Sequence, residues 1–90
     1  MESMASYLDE LKEKKGFKSD ADLGKFLGVS RSYISQVRAG MEMGDERCFK
    51  IASILKKEPI ELLALNRAIR SKDNELKAYW LKIHAEYTEK

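Results

Sequence analysis

Between Arg31 and Arg38 the chain reads RSYISQVR, and six of these eight residues carry hydrogen-bonding side chains. Arg31 and Arg38 present planar forks of donors that suit paired acceptors such as a guanine edge or a phosphate. Gln36 can donate and accept at once, as an adenine edge requires, or bridge to a phosphate. Tyr33 offers a ring for a thymine methyl or a sugar edge, and a hydroxyl that reaches a phosphate. Ser32 and Ser35 add short hydroxyls. This is the chemistry of recognition, not of bond making.

Catalytic chemistry is poorly supplied. The chain has one cysteine, Cys48, and one histidine, His84, so one copy cannot assemble the usual four-ligand zinc site. Cys48 falls in a helical apolar stripe and reads as core. No glycine loop of the phosphate-cradling kind is present. Acidic pairs such as Asp9-Glu10 and Asp45-Glu46 are sequence neighbours, so on a helix they point in different directions. No enzyme activity, cofactor, metal or small-molecule ligand is expected.

The recognition residues need a short helix held at a fixed angle, and the preceding stretch can supply it. Ser19 is a good N-cap, and Asp22 three residues on completes an Asp variant of the capping box. Leu23, Phe26 and Leu27 recur at helical spacing, which predicts a helix from Asp20 to Leu27. Gly28 suits a left-handed C-terminus, Val29 is an apolar plug, and Ser30 caps a second helix that ends at Gly40. Ile34 and Val37 give that helix its buried face. Two helices this short and this closely joined must cross steeply. Gly24 sits where the backbones would approach, at a cost of roughly 1 kcal/mol in helix propensity.

From Ser19 to Gly40 the chain resembles the helix-turn-helix of the lambda-repressor and Cro-like DNA-binding proteins. Leu23-Gly24, Gly28-Val29-Ser30, Ile34, Val37 and Gly40 match that family's spacing without a gap, with Gly24 where the family usually has Ala. The resemblance implies an all-α fold, a five-helix DNA-binding domain with an additional C-terminal helix. It carries base reading onto Arg31, Ser32 and Gln36, with Tyr33 beside them. Phosphate contacts would fall to Ser19, Lys18, Lys25, Ser35 and Arg38. Two departures reduce the expected phosphate contacts. Asp20 stands where the family often has Gln or Asn, and Met41-Glu42-Met43 follows Gly40 where basic residues are common. Lys18, Lys25 or Arg47 would have to compensate.

Elsewhere, Met4, Tyr7, Leu8 and Leu11 predict a first helix from Ser3 to Lys15, ended by Gly16. Asp45 is expected to cap a fourth helix to Lys56, with Cys48, Ile51, Ala52 and Leu55 inside. Pro59 opens a fifth, from Glu58 to Arg70, apolar on most sides. Ser71 is expected to cap a sixth, from Lys72 to Thr88. Leu76, Tyr79, Trp80, Ile83 and Tyr87 form its stripe, which needs a surface to cover, either its own domain or a second copy of the chain; its Trp and Tyr favour the second, a homodimer interface. Residues 1–70 then form the DNA-binding domain, with its motif at 19–40, and 71–90 the dimerisation helix.

Charge and composition agree with this reading without carrying it. Seven basic and four acidic side chains lie between Glu10 and Arg38, against four basic and five acidic between Ala39 and Leu65. No run of 18 apolar residues predicts a membrane span, and the opening MESMASYLDELKEKK lacks the form of a secretory signal, so a cytoplasmic location is expected. The resulting expectation is a homodimeric repressor like small phage-encoded ones, with the helix over residues 30–39 in the major groove of a two-fold operator. A protein anti-repressor is a further expected partner. The alternatives are an antitoxin whose last helix holds a toxin, and a protein-interaction module without DNA binding.

Overall fold

Left-handed glycines punctuate the first half of the chain. Gly16 (φ 71°) ends α1 (Ala5–Lys15), and Gly28 (φ 74°) ends α2 (Asp20–Leu27). The computed structural model describes residues 2–89. Four further helices follow: α3 (Arg31–Arg38), α4 (Asp45–Leu55), α5 (Pro59–Arg70) and α6 (Asn74–Thr88). The fold is all-helical, with no strand among the described residues. Among the described residues no helix is long and apolar enough to cross a membrane.

The caps explain most of the boundaries. Ser19 Oγ accepts from the Asp22 amide at 3.1 Å, and Ser30 Oγ from the Tyr33 amide at 3.0 Å. Three helix starts differ from the sequence expectation. The first helix begins at Ala5 with Met4 at its cap position. Gly44, not Asp45, precedes α4, so Asp45 sits in the first turn, where its charge favours the positive helix end. Asp73 caps α6 in place of Ser71, its Oδ1 accepting from the Leu76 amide at 2.9 Å. A carboxylate within reach of a first-turn amide outcompetes the upstream hydroxyl, and Ser71 Oγ instead donates to the Asp73 carbonyl.

The core joins the first five helices. Met4, Leu8 and Leu11 of the N-terminal segment meet Leu23, Ile34, Val37, Cys48, Ile51 and Leu62, all fully buried. The stripe of α5 is interrupted by Asn66, which is completely buried. Its amide side chain accepts from the Met43 N–H at 2.7 Å and donates to the Met43 carbonyl at 2.6 Å, so it stands in for a strand partner and fixes the loop between α3 and α4.

The sixth helix is not a detached arm. It lies along α5, with Leu81 against the core and His84 Nδ1 donating to the Glu61 carbonyl at 2.9 Å. The His84 ring also meets Tyr7 edge-on, at 6.1 Å between centroids. His84 thus docks α6 onto α5 and α1. Trp80, Ile83 and Tyr87 are half-buried, and the Arg67 guanidinium lies over the Trp80 ring at 5.7 Å. Of the five stripe residues only Leu76 (49%) and Tyr79 (54%) are strongly exposed.

Candidate nucleic-acid interface

Helix α3 has one face in the core and one in solvent. Ile34 and Val37 are fully buried, whereas Arg31, Ser32, Ser35 and Gln36 are exposed. The helix is joined to α2 by Gly28, Val29 and Ser30 alone. The Val29 amide returns to the Gly24 carbonyl at 2.8 Å, which closes the turn. Gly24 is buried under that turn, and a Cβ there would lie 2.7 Å from the Val29 carbonyl oxygen. The glycine is therefore a steric requirement of this crossing, and the alanine usual in the resembled family would not fit without a backbone shift.

Arg38, expected to reach a phosphate, is used inside the fold. Its Nε and Nη2 donate to Asp20 Oδ2 and Oδ1, each at 3.0 Å, and its Nη1 lies 2.8 Å from Asp9 Oδ1. Lys12 Nζ reaches Asp20 Oδ1 at 3.2 Å. The hydrogen bond from Arg38, followed by that from Lys12, holds the Asp20 carboxyl below the usual carboxylate range, and Arg38 is correspondingly more firmly protonated. The cluster ties the end of α3 to the start of α2 and to α1. Asp20 is therefore not the free anion its position suggests, because its charge is spent on Arg38 and Lys12.

Other expected contact residues divide by their surroundings. Lys18 and Lys25 are exposed, with no ion pair among the described residues. Ser35 is exposed, but Ser19 is half-buried with its oxygen committed to the cap. Tyr33 is half-buried rather than outward, its ring under the Arg47 guanidinium at 5.4 Å. Arg47 Nε is buried and has no hydrogen-bond partner among the described residues. The stacked pair brings a guanidinium from α4 to the side of α3.

Burial, with a smaller contribution from Asp45, pushes the Cys48 thiol up to about 12, so it is a core residue and not a nucleophile. Among the described residues no three His, Cys, Asp or Glu side chains converge as metal ligands. The buried Glu61 carboxylate accepts from the Tyr7 hydroxyl at 2.6 Å, with Lys57 Nζ at 3.9 Å, and so joins α1 to α5. Burial and Glu61 together raise the Tyr7 hydroxyl far above its ordinary value.

Sequence reasoning missed Asp9 and Lys12 as supports of α3, and Asn66 as the brace of the following loop. Asn66 does leave a signal: it shares a helix face with Leu62, four residues earlier, where an apolar residue belongs. Comparison of the chain with models of known families, with curated proteins and with solved structures returns no match.

Proposed function

We propose that this chain is a sequence-specific DNA-binding protein that acts as a small transcriptional repressor, with α3 in the major groove and two copies on a two-fold operator. One observation carries the reading: Arg31, Ser32, Ser35 and Gln36 form an exposed polar row on a helix whose opposite face is locked into the core. A rigid helix with unspent donors and acceptors on one side is what base-edge recognition requires. Arg31 reads a guanine and Gln36 an adenine, with Ser32 between them. Lys18, Lys25 and Arg47 supply the phosphate contacts, and Arg38 positions the helix without touching DNA. Two copies would address half-sites about 34–36 Å apart. The kinship with phage repressors is part of the same proposal and rests on the motif resemblance.

The test is selection from a pool of random duplexes by the full chain, followed by fluorescence anisotropy on the enriched sequence. Wild type, Arg31→Ala and a shuffled duplex are compared across a salt series. Enrichment of a two-fold sequence, with tight binding lost in Arg31→Ala, supports the reading. Weak binding, equal on both duplexes and steep in salt, reduces it to phosphate attraction. No binding overturns it and leaves a protein-interaction module.

A further inference from the structure

The outer flank of α6 is unpartnered and apolar. Leu76 and Tyr79 are about half exposed and Ile83 is half-buried, and the three lie within a narrow arc at helical spacing. The adjacent flank, toward Trp80, is already engaged, because Arg67 covers that ring and Tyr79 meets it edge-on at 5.3 Å. Beside the exposed arc, on its solvent edge, run Glu75, Lys82 and Glu86, all exposed.

We propose that this flank pairs with the same flank of a second copy, with the two α6 helices antiparallel and Tyr79 at the two-fold axis. The charges select this orientation. In an antiparallel helix pair the same edge of each helix meets, so the charged edge faces itself in reverse. Counted from Tyr79, Glu75 lies four residues one way and Lys82 three the other. Each Glu75 then falls within one residue's rise, about 1.5 Å, of the partner copy's opposite charge. The symmetry makes this two attractive pairs. The same count sets Leu76 opposite Ile83 of the other copy, closing apolar surface on both sides of the tyrosines. Parallel pairing would instead lay the charged edge against the flank of Trp80, which Arg67 and α5 already occupy.

The contact is small, below the area of a standard stable interface, so the dimer is a weak one that forms at high concentration or on a shared template. This pairing rests on the repressor reading for its use, because it would supply the second copy for a two-fold operator. Its own test is made without DNA.

The experiment is sedimentation equilibrium of the full chain over a wide concentration range. Wild type is compared with Glu75→Lys, Lys82→Glu, the double exchange of both charges, and Tyr79→Ser, with circular dichroism confirming that each is folded. A reversible dimer is expected in the wild type. Each single charge exchange turns two attractive pairs into two repulsive ones and weakens the dimer about tenfold. The double exchange restores it to within about twofold, and Tyr79→Ser abolishes it. A wild type that stays monomeric at every concentration overturns the proposal. So does a dimer indifferent to all four variants, and so does one that the single exchanges weaken but the double exchange fails to restore.

Discussion

Arg38 at the end of α3 grips Asp20 at the start of α2 through two parallel hydrogen bonds of 3.0 Å. The contact bridges 18 residues and fixes the angle between the two short helices at the end remote from their turn. Both side chains are about one-quarter exposed, and Asp9 and Lys12 of α1 extend the pairing. The polar row on α3 is therefore held from two directions: Ile34 and Val37 anchor its back, and Arg38 anchors its end.

The two arginines of α3 should then respond differently to truncation. Arg31→Ala removes an exposed side chain, so its thermal midpoint should match wild type while affinity for the selected duplex falls about 5- to 150-fold, the range for one bidentate base contact. Arg38→Ala should cost about 1 kcal/mol, lowering the midpoint by about 4–8 °C. It should weaken binding to selected and shuffled duplexes by similar factors. Asp20→Ala should cost a similar amount, and the double variant less than the sum of the two. Thermal melts and anisotropy on the same preparations check this. Equal midpoints for Arg38→Ala and wild type would remove Arg38 as an anchor.

Asp20 also predicts an acid response. Its carboxyl is held below the ordinary range chiefly by the Arg38 hydrogen bond and next by Lys12. A depressed carboxyl contributes stability that is fully present above the unfolded value of about 3.9 and is lost as pH falls through the lower folded value. Wild type should therefore exceed Asp20→Asn in stability by a constant margin from pH 5 to 7, and the margin should close below about pH 4. Urea unfolding of both proteins at stepped pH measures it. A margin unchanged down to pH 2 would mean that shape and not charge is responsible.

Gly24 predicts a reversal of the ordinary helix rule. In an exposed helix interior, Gly→Ala gains about 1 kcal/mol. Here the new methyl would sit 2.7 Å from the Val29 carbonyl oxygen, and that carbonyl belongs to the turn itself. Gly24→Ala should lose about 1–2 kcal/mol net, because the turn must open to admit it. Serine should cost at least as much. Denaturant midpoints decide the sign, and a stabilised Gly24→Ala would show that α2 and α3 can separate without strain.

The sequence signals that proved legible are the local ones. Ser19 and Gly28 bound α2 to the residue because a cap and a left-handed glycine act within one turn. Ile34 and Val37 reveal the buried side of α3 through spacing alone. What could not be read is where long-range polar partners go. Arg38 has the same chemistry whether it meets a phosphate or Asp20, and only the fold brings Asp20 within reach. The stripe on α6 is visible as a pattern, yet periodicity does not say which part of it α5 covers. His84 makes the point: its hydrogen bond goes to the Glu61 backbone carbonyl, which no side-chain pattern reports.

Asn66 illustrates the same limit and yields the largest expected stability effect. Its side chain is fully buried and satisfies both backbone groups of Met43, the residue that brings the chain from α3 into α4. Replacement by alanine would leave a buried N–H and a buried carbonyl without partners and open a small cavity. The loss should be about 2–4 kcal/mol. Leucine fills the space but restores neither hydrogen bond, so Asn66→Leu should recover little of it. Hydrogen exchange at the Met43 amide separates the two contributions. In wild type this amide should open only with global unfolding. In Asn66→Leu it should exchange by local opening, while the amides of Ile34 and Val37 stay protected. A Met43 amide equally slow in both proteins would show that packing, not the asparagine, holds the loop.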